Sequence, residues 1–128
     1  MNQQPPPQHL RIVPSVFTIE HLPEAEPPPG DEWVVLVRAP EGLTVVRAAP
    51  CSADPDEAWI GFYGGATAHD LAVPGMLAAV LKPLADAAIP VFVASTFHAD
   101  LVLVPARSRD QAVTALRNAG HRVEDQPS

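Results

Sequence analysis

The chain has 128 residues, enough for one domain of ordinary size or two very small ones. Apolar residues make up 47% and charged residues 18%, which provides material for a packed core and argues against a disordered chain. Fifteen acidic residues against eight basic ones leave a net charge of −7, which repels phosphates and anionic lipid heads and weighs against nucleic acid or a membrane as partner.

Sixteen prolines are unusual, but eleven of them fall in the first 55 residues, where they act as punctuation. Residues 1–8 read as a disordered tail, polar and proline-rich, without the basic start and apolar run of a signal peptide. Leu10-Arg11-Ile12-Val13 and Val16-Phe17-Thr18-Ile19 form one strand interrupted by Pro14, which suits an edge or a bulge. Residues 21–31 are an acidic connector in which no helix can propagate. The β-branched runs from Trp33 to Val37 and from Leu43 to Val46 flank Arg38-Ala39-Pro40-Glu41-Gly42, a hairpin loop. The only cysteine, Cys51, cannot form an intrachain disulfide, which fits a reducing, cytoplasmic setting.

The second half changes character at Ala58. Trp59-Ile60-Gly61-Phe62-Tyr63 is a strand, and a glycine- and alanine-rich loop leads to Pro74 as the first residue of a helix. Leu77, Val80, Leu81, Leu84 and Ala88 form one apolar stripe, with a kink expected at Pro83. Residues 90–95 and 101–104 are two adjacent strands. Ser108 and Gln111 have capping-box spacing ahead of a second helix that Gly120 stops, and His121 to Glu124 is a closing strand. The order is βαββαβ, an α+β, ferredoxin-like sandwich with two helices on one face of the sheet.

In that topology residues 64–74 and 96–100 share one end of the domain. His69, Asp70, Gly75 and Met76 there face Ser95, Thr96, His98 and Asp100. Ala72 and Val73 offer no side-chain oxygen to cap the helix, so its amides could hold a ligand carboxylate, while Asp70 or Asp100 could hold an ammonium group. The same residues also fit purely structural duties, with Asp70 as an N-cap and Thr96 satisfying a strand edge. No closely spaced ligand motif supports a metal at His69, Asp70, His98 and Asp100. Cys51 has no base partner, and no phosphate-binding loop is present, so no metal, cofactor or catalysis is expected.

The run from Asp70 through Val73-Pro74-Gly75-Met76 to Ala85, followed by residues 89–104, resembles the ACT domain family, and its likeness is greatest to small bacterial proteins with two tandem ACT-like units. Leu10 to Pro14, Leu22-Pro23 and Leu43 to Val46 fit a reduced first unit. The resemblance implies residues 9–56 as that reduced unit, 57–125 as a complete second unit and 126–128 as a tail. It implies a non-catalytic, amino-acid-responsive regulatory module that binds its ligand where ACT units meet. The implied ligand-binding set is Asp70, Val73, Gly75, Met76, Ser95, Thr96, Phe97 and Asp100. The expected partners are an amino acid and either a second copy, as a homo-oligomer (dimer), or a regulated enzyme. The alternative is a self-associating interaction module whose cleft is vestigial.

Overall fold

A computed structural model describes residues 7–22, 34–48, 54–64, 75–97 and 99–125. Its first strand, β1 (His9–Leu22), is the spine of a seven-stranded mixed sheet. Along one edge β1 pairs antiparallel with β4 (Trp59–Tyr63); along the other it pairs antiparallel with β3 (Gly42–Ala48) and, through His9 to Ile12, in parallel with β7 (Arg122–Asp125). The full order is β2 (Val34–Ala39), β3, β1, β4, β6 (Asp100–Pro105), β5 (Phe92–Ser95). Pro14 therefore marks a bulge inside an interior strand, not an edge. The β1–β4 register shifts between Ile12 and Val16, where an extra stretch of β1 needs no ladder donor.

The hairpin of β2 and β3 closes more tightly than its loop-rich sequence implied, because Ala39 pairs with Gly42 and only Pro40 and Glu41 turn the chain. Gly42 holds φ at 135°, a conformation other residues rarely adopt. The expected connector begins later than residue 21, because His21 and Leu22 still pair with Thr44 and Leu43 as the end of β1; its residues 23–31, Trp33 and Cys51 lie outside the described residues.

Helix α1 (Met76–Asp86) starts after Gly75, its N-cap, and Pro74 lies outside the described residues. Val80 and Leu84 are buried and Leu77 and Leu81 pack beside them. Ala88 leaves the expected stripe: it is exposed at φ 59°, where the chain turns to bury Ile89 in its place. The helix runs on through Pro83 to Asp86. Helix α2 (Arg109–Asn118) is followed by its C-cap Ala119 and then by Gly120, whose φ of 97° turns the chain away as its sequence required. Ser108 sits at the N-cap, yet its side chain makes no cap hydrogen bond. At φ −99° and ψ 8° its backbone is near-helical instead of extended, so the hydroxyl is not aimed at the first-turn amides.

Both helices cover one face of the sheet, over Leu10, Ile12, Ile60, Phe62, Val102, Val104 and Val123. The opposite face has its own cluster of Val13, Phe17, Val46, Leu101 and Leu103. Val46 of β3 belongs to the same cluster as Leu101 and Leu103 of β6, although two strands separate β3 from β6, so the sheet curves around this core. The expected closing strand also has a different partner. In a self-contained βαββαβ unit β7 would lie beside β4; here β1 is inserted between them and brings Leu10 and Ile12 into the helix-side core. The expected tail ends sooner too, since Gln8 is buried. No helix among the described residues is long and apolar enough to cross a membrane.

Candidate functional site

The end of the sheet where β4, β5 and β6 stop is built around the β5–β6 turn. Thr96 N–H donates to the Ala99 carbonyl at 2.7 Å, the Thr96 hydroxyl donates to the same carbonyl at 3.1 Å, and Ala99 N–H donates to that hydroxyl at 3.0 Å. The Ser95 hydroxyl donates to Asp100 Oδ1 at 2.6 Å, and Gly64 N–H extends the ladder to the Asp100 carbonyl at 3.1 Å. Strand alternation separates these side chains. Val93 and Val102 face the helices, so Ser95 and Asp100, each two residues away, do as well. Thr96 turns to the other face, where its hydroxyl lies 3.2 Å from the Tyr63 hydroxyl and the Arg11 guanidinium stands 5.3 Å over the Tyr63 ring.

On the helix-bearing face the start of α1 completes this end. Gly75 has φ 81°, offers no side-chain acceptor, and no acidic residue follows in the first turn. The leading amides of α1 therefore carry the partial positive charge of a helix N-terminus without a neighbouring carboxylate in the helix itself. Gln8 joins the parts. Its side-chain Nε2 donates to the Met76 carbonyl, and its Oε1 lies 3.5 Å from where a Cβ on Gly64 would stand.

Of the eight residues expected from sequence, Asp70 and Val73 lie outside the described residues, as do His69 and His98. Gly75, Met76, Ser95 and Asp100 share the helix side of one sheet end. Thr96 belongs to the opposite face, and Phe97 is 76% exposed at the turn. Sequence reasoning missed Gln8, Arg11 and Tyr63. Tyr63 ends a predicted strand and the alternation along β1 puts Arg11 on its face, but nothing local marks the two as cross-strand partners.

Two of the open cavities among the described residues bear on the choice of site. A groove of about 580 Å³ begins at Gly75 and follows Ala78, Ala79, Lys82 and Pro83 to His121, without reaching Ser95 or Asp100. A more polar cleft of about 640 Å³ at the opposite end of β1 is lined by Thr18, Glu20, Arg47, Asp54, Glu57 and Trp59. There Arg47 grips Glu20 through two bonds of 2.7 and 2.9 Å, and this pairing holds the Glu20 carboxyl below its ordinary value against the opposing effect of burial. The pair is exposed and internally satisfied, whereas the Ser95–Asp100 end combines a carboxylate with a helix N-terminus; on chemistry the latter is the stronger candidate. Among the described residues no three His, Cys, Asp or Glu side chains are grouped to hold a metal ion.

A family model described as "ACT domain" matches residues 55–118. A crystallised protein from Agobacterium tumefaciens is 27% identical, with 97% of each chain covered and a TM-score of 0.77. A Vibrio cholerae protein of unknown function, described as a possible transport protein, is 20% identical over 86% of this chain and 88% of its own, with a TM-score of 0.67. The ligand-free regulatory subunit of aspartate kinase from Thermus thermophilus is 13% identical over 88% of this chain and 97% of its own, with a TM-score of 0.59. The last two share the fold. No curated protein matches the chain.

Proposed function

The chain belongs to the ACT domain family, and from that premise we propose that it is a non-catalytic regulatory domain that binds an amino acid at the sheet end formed by Gly75, Met76, Ser95 and Asp100. What supports this reading is that a helix N-terminus without its own capping carboxylate and a half-buried aspartate are linked at one end of the fold, through Gln8 on Met76 and Gly64 on Asp100. An α-carboxylate would accept the leading amides of α1, and an ammonium group would pair with Asp100, whose Oδ1 is oriented by Ser95. Asp70, Val73 and Phe97 complete the proposed set, and Thr96, whose hydroxyl faces the other side of the sheet, belongs to it through the turn it closes behind Ser95. Residues 9–56 and 57–125 are read as two ACT-like units sharing one sheet, and the regulated partner as another protein of the cytoplasm.

A second reading, a self-associating module without ligand, draws support from the sheet's edges. The outer strand β2 exposes Leu36 and Val37, and β5 at the other end of the order is preceded by exposed Val91. Thermal shift with each of the twenty amino acids separates the two readings. A ligand at about 100 times its Kd should add ~2.7 kcal/mol of stability, and Asp100→Ala should abolish the response. The absence of a shift with every amino acid would favour the self-association reading.

A further inference from the structure

His121 is buried and contributes nothing to the set above. It follows the Gly120 turn and precedes β7, and both ring nitrogens are engaged. Nδ1 lies 3.0 Å from the backbone nitrogen of Gln8 and Nε2 lies 2.8 Å from the Ala79 carbonyl. An amide N–H can only donate, so Nδ1 accepts, and the single ring hydrogen is on Nε2 and donates to Ala79. That carbonyl is the one Pro83 deprives of its in-helix donor. The proline in α1 and the buried histidine are therefore complementary.

Gln8 is tied on three sides. Its N–H reaches His121, its carbonyl accepts Arg122 N–H at 2.9 Å, and its side chain donates to the Met76 carbonyl in the first turn of α1. We infer that Gln8 and His121 form a proton-sensitive bracket that positions the first turn of α1, so that protonating His121 loosens the Gly75–Met76 end and weakens ligand binding there. The ligand part of this inference rests on the proposed function. A second proton must go to Nδ1, which turns the acceptor facing Gln8 N–H into a donor. Two donors then oppose each other in a buried space, the Gln8 segment withdraws, and its side chain leaves Met76.

The surrounding charges do not offset that proton. Lys82 and Asp86 on α1 pair with each other at 3.0 Å, Arg117 on α2 donates to the Val123 carbonyl, and His9 on β1 lies 3.0 Å from Glu124 of β7, which also has Arg122 at 3.5 Å. Among the described residues no carboxylate bonds the His121 ring.

Hydrogen exchange on the full chain without ligand tests the bracket. When the pH is lowered from about 7.5 to 5, protection of the Ala79 and Val80 amides, corrected for intrinsic exchange, should fall about tenfold, while that of Phe62 in β4 stays constant. His121→Asn keeps an acceptor for Gln8 and gains no charge, so its first-turn protection should not vary with pH. Gln8→Ala keeps the backbone bond but cuts the tie to Met76; its first-turn protection should be lower and insensitive to pH. The Kd of any amino acid found by thermal shift should weaken about tenfold over the same range in the parent chain and stay flat in His121→Asn. A first turn that ignores pH in the parent chain, or responds equally in both variants, would overturn the bracket. Exchange that responds while no amino acid binds would support the bracket and overturn the ligand reading.

Discussion

A fragment of residues 57–125 is expected to stay unfolded under conditions in which the full chain melts cooperatively. Truncation there removes β1, which pairs β4 along one edge and is the partner of β7. It also strips Leu10 and Ile12 from the helix-side core and Val13 and Phe17 from the opposite face. At ~1.5–3 kcal/mol for each large buried side chain, those four represent ~6–12 kcal/mol, comparable to the ~5–15 kcal/mol that separates a whole domain from its unfolded state. Far-ultraviolet circular dichroism and a thermal melt of the fragment check this. A cooperative transition in the isolated fragment would show that the second half closes its own core, with β7 finding another edge. If the fragment fails to fold, the division at residue 56 separates two sequence units that share one folding unit.

Gly61→Val is expected to destabilise the chain by ~2–3 kcal/mol, and Gly61→Ala by less than ~1 kcal/mol. Gly61 lies in β4 on the face opposite the helices, and a Cβ there would stand 3.0 Å from Leu101 Cδ1, 3.1 Å from Leu103 Cδ2 and 3.3 Å from Phe17 Cε2. The leucine methyls are the far ends of flexible side chains and can move a few tenths of an ångström for alanine. The backbone freedom lost with glycine also offsets ~0.5–1 kcal/mol of that strain. Valine adds two more methyls to a cluster already closed by fully buried Phe17 and Val46. Urea denaturation of both variants provides the comparison; equal stability of valine and glycine at this position would mean that the cluster is loose.

Local pattern carried much of this fold. The apolar run from Trp59 to Tyr63 marks β4 to the residue, Gly120 marks the end of α2, and the stripe on α1 identifies Val80 and Leu84 as core. Pairing across long separations was not legible. Residues 9–12 and 122–125 are the two ends of the chain, and alternation says which face a side chain takes but not which edge a strand joins. The same limit separated Thr96 from Ser95 and Asp100 at the site, since the turn residues carry no mark of the face they serve. Gln8 was hidden by its neighbours, because a proline-rich stretch reads as a tail up to the residue that β7 captures. Pro83 did carry a usable signal: a proline inside a helix demands an outside donor for the carbonyl four residues back. Nothing in the sequence named His121, 42 residues beyond Ala79, as that donor.

Amide NMR of the uniformly labelled full chain, titrated with each of the twenty amino acids, tests the ligand site most directly. The predicted result is that one amino acid or a small related group moves the Gly75, Met76, Ser95, Thr96, Phe97 and Asp100 resonances, with Thr18, Glu20 and Arg47 in the opposite cleft unchanged. Saturable shifts confined to the Glu20–Arg47 cleft, or no shift with any amino acid, would contradict it.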